Sequence, residues 1–198
     1  LSPIFEAYSN HKYDTGNYLR IDEMFGGEEA FENLLKKAND ADIQIMLDGV
    51  FNHTGNDSLY FDAKNKYGGR GAYNNPDSPY KDWYSFKKYP EDFESWWGIK
   101  ILPKLNHKNE SCRKFFTAPG GVGEKYINMG IMGWRLDVVD ELSDEFLDEF
   151  CQTVKKASDG KAVILGEVWE NAAEKIAYGK RRRYFQGGQL DSVMNYPL

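Results

Sequence analysis

With 198 residues, 41% of them hydrophobic, 15% aromatic and 28% charged, the chain has the composition of an ordinary soluble globular protein, which excludes disordered, collagen-like and disulfide-scaffold classes. A formal net charge of -6 matches a polyanion poorly and excludes nucleic acid as a partner, and no apolar run approaches the ~18 residues of a membrane span. Cys112 and Cys151 have no CxxC spacing and no neighbouring His ladder, so both read as ordinary thiols.

In chain order, LSPIFEA reads as a strand end entering a loop, and the start at Leu1 and finish at Leu198 read as two cut ends. Residues 28–41 put Phe31, Leu34, Leu35 and Ala38 on one face, acidic residues first and lysines late, which predicts an amphipathic helix. IQIML at 43–47 predicts a strand buried on both faces, leading into the turn-rich DGVFNHTGN. Residues 55–107 hold most of the prolines and the segment YGGRGAYNNPDSPYKDWYSF, which has no helical period and reads as a loop-rich subdomain. GWRLDVV at 133–139 predicts a second strand, Ser143 caps a helix with Phe146, Leu147, Phe150 and Val154 on its apolar face, and AVILG at 162–166 predicts a third strand. A helix around 171–178 and a strand near 190–194 complete the pattern, and KRRR at 180–183 reads as a solvated face.

Strand–helix units favour an α/β architecture, either a (β/α)8 barrel or a doubly wound sheet. One ordinary unit separates Asp137 from Glu167, whereas Asp48 and Asp137 lie 89 positions apart, leaving roughly 60 residues for an insert.

Asp48, Asp137 and Glu167 each stand at or just after the C-terminal end of a predicted buried strand, the rim on which barrel active sites are built. A single strand-end acid usually caps the next helix; three together point to chemistry. Strand periodicity puts Arg135 on the face of Asp137, where its charge would hold the carboxylate ionised as a nucleophile. Glu167 follows an apolar strand and is flanked by Val168 and Trp169, so its pKa is expected to rise, as a general acid requires. An ionised carboxylate facing a protonated one is the equipment of glycoside hydrolysis. Tyr13, Trp96, Trp97 and Trp169 offer aromatic faces for pyranose rings, and His53 offers a donor to a sugar hydroxyl.

DGVFNH, GWRLD and GEVW, with Asp48, Asn52, His53, Gly133, Arg135, Asp137, Glu167 and Trp169, resemble three signature regions of the α-amylase family, glycoside hydrolase family 13. HKYDTGNY at 11–18 and WWGIKILPKLN at 96–106 resemble the neopullulanase, cyclomaltodextrinase and maltogenic amylase branch. The resemblance implies a partial (β/α)8 TIM barrel spanning about strands 2 to 6. Residues 1–53 and 109–198 would be barrel parts, and 54–108 an inserted domain B after strand 3. It implies Asp137 as nucleophile, Glu167 as acid/base and Arg135 as the residue orienting Asp137. Tyr13, His53, Trp97 and Trp169 would contact substrate, and Asp48 would hold Arg135. Asn52 matches a calcium ligand of many members, an ion often absent from this branch, so no cofactor is required and calcium is optional.

The implied substrate is an α-glucan or maltooligosaccharide, cut at α-1,4 bonds or at α-1,6 bonds as well. The branch favours a homodimer and the cytoplasm, with secretion as the alternative. The family's fourth signature, a His-Asp pair, has no counterpart here, and His107 in the insert does not replace it, so this chain alone is expected to be inactive. Rival readings are an enolase-type metal barrel, opposed by Arg135 among the would-be ligands; a non-catalytic glucan-binding or chaperone subunit; and a transglycosylase or branching enzyme.

Overall fold

The computed structural model describes residues 1–194 and 196. Its residues divide into two compact units, one of Leu1, 32–49 and 114–198, the other of 2–31 and 50–113.

The first unit is built on a parallel four-stranded sheet. Its strands are β3 (Met46–Gly49), β6 (Gly133–Leu136), β7 (Val163–Gly166) and β10 (Ser192–Val193), in the order β10-β7-β6-β3. All four were anticipated. The first is shorter than expected, because pairing with β6 begins at Met46 and leaves residues 43–45 outside the ladder. Parallel neighbours require crossovers, and α4 (Asp144–Ala157) supplies the one between β6 and β7. Ser143 starts that helix as expected, its hydroxyl accepting from the Phe146 amide at 3.1 Å. The apolar face of α4 is buried at Phe146, Leu147, Phe150 and Val154. Trp134 of β6 lies between Phe150 and Tyr126, with ring centroids 6.1 and 5.9 Å away.

Two short helices before β6 were not anticipated: α2 (Glu110–Thr117) and α3 (Val122–Met129). Gly123 in α3 packs closely on α4, since a Cβ there would stand 2.6 Å from Phe150 Cε2. Eight-residue helices carry too little periodicity to announce themselves, and burial against α4 holds them.

The helix expected at 171–178 is a correction. Those residues form turns and the first strand of a hairpin, β8 (Ile176–Ala177) with β9 (Lys180–Arg181). Tyr178 and Gly179 between them both adopt positive φ, 53° and 74°, the backbone of a two-residue hairpin loop. The solvated KRRR face is a second correction. Lys180 and Arg181 are exposed, but Arg182 is buried, donates to the Leu142 carbonyl at 2.6 Å and lies 5.1 Å from the Tyr184 ring centre.

The second unit contains the antiparallel pair β1 (Phe5–Ala7) and β2 (Thr15–Ile21), and the small hairpin of β4 (Phe86–Lys88) and β5 (Asp92–Phe93). The predicted amphipathic helix forms as α1 (Gly27–Asp40), whose residues run from this unit into the first. Between 50 and 113 the chain is mostly turns, and its aromatic residues supply the core that regular elements do not. Tyr18 packs on Phe5, Phe51 and Tyr60, and Phe61 on Tyr84, Phe86 and Phe93. Tyr18 also donates its hydroxyl to the Val50 carbonyl at 2.7 Å, so one ring ties β2 to the segment after β3.

Lys12 is almost fully buried here. Its ammonium meets Asp22 Oδ2 at 2.8 Å and the Ala7 carbonyl at 3.1 Å, while Asp22 also accepts the amides of Ala7 and Met24. Lys12→Met would leave the Asp22 carboxylate buried without its counter-charge. We expect a loss of about 3–5 kcal/mol of folding stability, measured by denaturant unfolding at neutral pH.

Candidate active site

Parallel register assembles the acids. Asp48 of β3 pairs with Arg135 of β6, and Leu136 pairs with Gly166, so Asp137 and Glu167 are each the first residue past neighbouring strand ends. The ladder continues into both positions: the Asp137 amide donates to the Gly49 carbonyl at 3.1 Å and the Glu167 amide to the Leu136 carbonyl at 2.9 Å. Alternation along β6 then puts Arg135 and Asp137 on one face.

At the centre of the cluster is one guanidinium. Arg135 Nη1 donates to Asp48 Oδ1 at 2.8 Å and to Asp137 Oδ1 at 2.7 Å, and Nη2 meets Glu167 Oε1 at 2.9 Å. All three acids are buried, at 6 to 8% exposure. Three carboxyls around one permanent cation leave a surplus of negative charge out of water, which favours retention of a proton in the cluster.

Which acid holds that proton reverses the expectation from sequence. Burial, reinforced by the nearby Glu167 and Asp48 and only partly offset by Arg135, pushes Asp137 up to about 7. Burial acts on Glu167 in the same direction, but donors outweigh it and hold it below the usual carboxylate range. The Val138 amide donates to Oε2 at 2.9 Å, and the Trp169 indole to Oε1 at 3.0 Å, with Arg135 beside them. The apolar flanks that suggested a raised Glu167 do not set its surroundings; polar atoms do.

Three of these contacts had no signal in the sequence. Val138 acts through its backbone: at φ 39° and ψ 54° it is a β-branched residue in the left-handed region, a strain of about 1–3 kcal/mol, and in that conformation its N–H meets Glu167. Met194 places its sulfur 3.4 Å from Arg135 Nε, and the Tyr196 hydroxyl donates to Glu167 Oε1 at 3.2 Å. Both come from the segment after β7, whose course only the sheet order reveals.

Tyr13, Asn52, His53 and Trp97 fall in the second unit, where they too are gathered. His53 Nε2 contacts the Tyr13 carbonyl oxygen at 3.2 Å and Nδ1 lies 3.1 Å from Asn52 Nδ2. The His53 ring stacks on Trp96 at 5.1 Å, and Trp96 on Trp97 at 5.0 Å. His107 is a buried packing residue, its pKa driven down to about 3 by burial, and so neutral at physiological pH. Asn52 Oδ1 is buried without a hydrogen-bond partner, the kind of atom a calcium ion takes. Among the described residues, however, no group of three His, Cys, Asp or Glu is gathered to hold a metal.

The sequence profile described as "Alpha amylase, catalytic domain" matches residues 1–198. The chain belongs to the α-amylase family. Within that family it is 38% identical to the amylopullulanase of Thermoanaerobacterium thermosulfurigenes, across 99% of this chain and 11% of that protein. It is 36% identical to the cyclomaltodextrinase of Geobacillus thermopakistaniensis, across all of this chain and 32% of that protein. Among solved structures it resembles the Arthrobacter globiformis cyclic α-maltosyl-(1→6)-maltose hydrolase, with a TM-score of 0.85 and 32% identity over 99% of this chain and 41% of that one. The chain thus spans a third or less of the length of these two curated α-amylase family relatives. No helix among the described residues is long and apolar enough to cross a membrane.

Proposed function

We propose that this chain contributes the nucleophile and the acid/base of a retaining α-glucan hydrolase. The observation that carries the reading is Arg135, one guanidinium joining Asp137 and Glu167 at consecutive strand ends. Asp137 attacks the anomeric carbon of a glucosyl unit while Glu167 gives its proton to the departing oxygen, so the C–O bond breaks as the Asp137 ester forms. Glu167, now ionised, takes a proton from water, whose oxygen attacks the same carbon and frees Asp137. Two inversions leave the product in the α configuration.

The free site carries its proton on the opposite member of the pair. A coupled pair titrates as a unit, so moving one proton from Asp137 to Glu167 changes the arrangement and not the proton count. A sugar that displaces the Trp169 indole from Glu167 Oε1 removes a donor that favours the anion, and thereby readies Glu167 as the acid.

Relatives named for pullulan, cyclomaltodextrin and maltose formation favour α-1,4 bonds as the target, with α-1,6 bonds in addition. Tyr13, His53 and Trp169 act as substrate contacts in this reading, and Asp48 anchors Arg135. Residues 54–108 form domain B, and the flanking segments belong to a (β/α)8 barrel from about strand 2 to strand 6. In this reading the activity is that of the full-length protein.

The test is to treat the full-length protein with an activated fluoro-glucosyl reagent and read intact and peptide masses. An adduct on the peptide carrying Asp137 is the expected result. A folded protein that binds maltosaccharides but carries no adduct would be a glucan-binding barrel instead.

A further inference from the structure

Glu167 takes two of its donors from separate turns, the Val138 amide from the turn after β6 and the Trp169 indole from the turn after β7. One lysine is tied to both turns. Lys175 Nζ meets Asp140 Oδ2, two residues past Val138, at 3.0 Å, and it also pairs with Glu170, the residue after Trp169. Its side chain is only 16% exposed; burial opposes its charge, but the two carboxylates outweigh burial and hold its pKa above the ordinary value. Both ends of the link are themselves fixed. Lys175 stands immediately before β8, where its carbonyl accepts from the Arg182 amide at 2.8 Å, and Asp140 also accepts from the Tyr184 hydroxyl. In the turn after β6 the Glu141 amide donates to the Val138 carbonyl at 2.9 Å and the Leu142 amide to the Val139 carbonyl at 3.1 Å, while the Val139 amide donates to the Glu167 carbonyl at 3.3 Å. A β-branched residue keeps a left-handed backbone only where its surroundings impose it, so the aim of the Val138 amide depends on whatever anchors this turn.

We propose that Lys175 is a positioning residue for the acid/base: by bridging Glu170 and Asp140 it holds together the two turns that aim the Trp169 indole and the Val138 amide at Glu167. The proposal rests on the reading of Glu167 as the acid/base and adds to it a residue that acts only through others. The charged groups facing Glu167 are Arg135 and Asp137, with Asp48 on the same guanidinium, and the Tyr196 hydroxyl donates to it; those facing Lys175 are Asp140 and Glu170. The competing account is a through-space effect of the ammonium on Glu167. The two accounts differ in sign at Asp140. Removing that anion by itself makes a nearby carboxyl easier to ionise, whereas releasing the turn it anchors takes a donor from the Glu167 carboxylate and makes ionisation harder.

The experiment compares Lys175→Met, Lys175→Arg and Asp140→Ala with the unaltered full-length protein, reading the pH profile of kcat/KM on a maltooligosaccharide. The acidic limb, at which the coupled pair of the free enzyme gives up its first proton, is expected to move up by about one pH unit, a tenfold change in proton affinity, in both Lys175→Met and Asp140→Ala. Lys175→Arg, which keeps the bridge, is expected to stay close to the unaltered protein. A limb that moves up in Lys175→Met but down in Asp140→Ala would show that charge alone is at work, and a limb unmoved in variants that only melt at lower temperature would make the bridge a structural tie; either overturns the proposal. Asp140→Asn takes the place of Asp140→Ala if the alanine variant does not fold. The indole N–H resonance of Trp169, assigned with Trp169→Phe in protein carrying isotope-labelled tryptophan, follows the ionisation of Glu167 without turnover. A protein that cleaves nothing yet shows the upward shift at this resonance loses the hydrolase reading and keeps the positioning role, whereas cleavage with limb and resonance both unshifted removes the positioning role alone.

Discussion

Replacing Asp137 by Asn in the full-length protein is expected to lower kcat by about 10⁴- to 10⁶-fold, the scale seen when a nucleophile is removed from a covalent mechanism. The change keeps the shape of the side chain and an oxygen for Arg135 Nη1, so folding and the Asp48–Arg135 pair survive. What disappears is the oxygen that forms the ester. Steady-state rates on maltooligosaccharides, with trapping as a control, check this; a variant retaining a tenth of the activity would place the nucleophile elsewhere.

The same variant has a signature in stability. Because Asp137 titrates near 7 when folded against 3.8 ordinarily, the native state holds an extra proton between those values. Its contribution to stability is therefore complete below the ordinary value and is lost as the pH rises to about 7. Asn cannot ionise. Asp137→Asn is expected to remove this part of the pH dependence, so that relative to the unaltered protein it gains stability between pH 4 and pH 7 in thermal melts.

Glu167→Gln is expected to cost about 10²- to 10⁴-fold on glucans, whose leaving oxygen needs a proton, and far less in the first step on glucosyl fluoride, whose leaving group does not. The covalent intermediate then accumulates for want of a base to activate water. Azide, which needs no base, should restore turnover and yield a glucosyl azide of retained configuration. Equal losses on both substrates, with no azide product, would remove Glu167 from the acid/base role.

Local signals in the sequence anticipated the main elements of the first unit. The runs IQIML and AVILG and the segment GWRLD marked β3, β7 and β6 with Asp48, Glu167 and Asp137 at their ends, but burial on both faces does not hold throughout, since Ile43 and Val163 are exposed. The amphipathic face of α4 and the cap at Ser143 were equally legible, since each depends on residues within a few positions, whereas of the face expected on α1 Phe31 and Ala38 are buried, Leu35 is half-buried and Leu34 is exposed. The error at 171–178 has a local cause as well: six residues in a row lack a breaker, and the decisive feature is the left-handed Tyr178-Gly179 turn, which a helical reading does not see.

Residue identity by itself determined the family, the three strand-end acids and the presence of an arginine two positions before the central one. The tertiary structure decided how those groups behave. Only the parallel register brings Asp48 and Glu167, which are 119 positions apart, onto the same guanidinium. The strained Val138 amide, the Trp169 indole and the Arg135 guanidinium hold Glu167 below the usual carboxylate range, while burial pushes Asp137 up to about 7. Arg182, part of the run expected to face solvent, is buried against the Leu142 carbonyl, and Lys12 is buried against the Ala7 carbonyl and the Asp22 carboxylate. The reason is common to all of these: a side chain's type and periodicity are properties of the chain, whereas its charge state depends on burial and on donors brought from remote segments, and those exist only once the chain has folded.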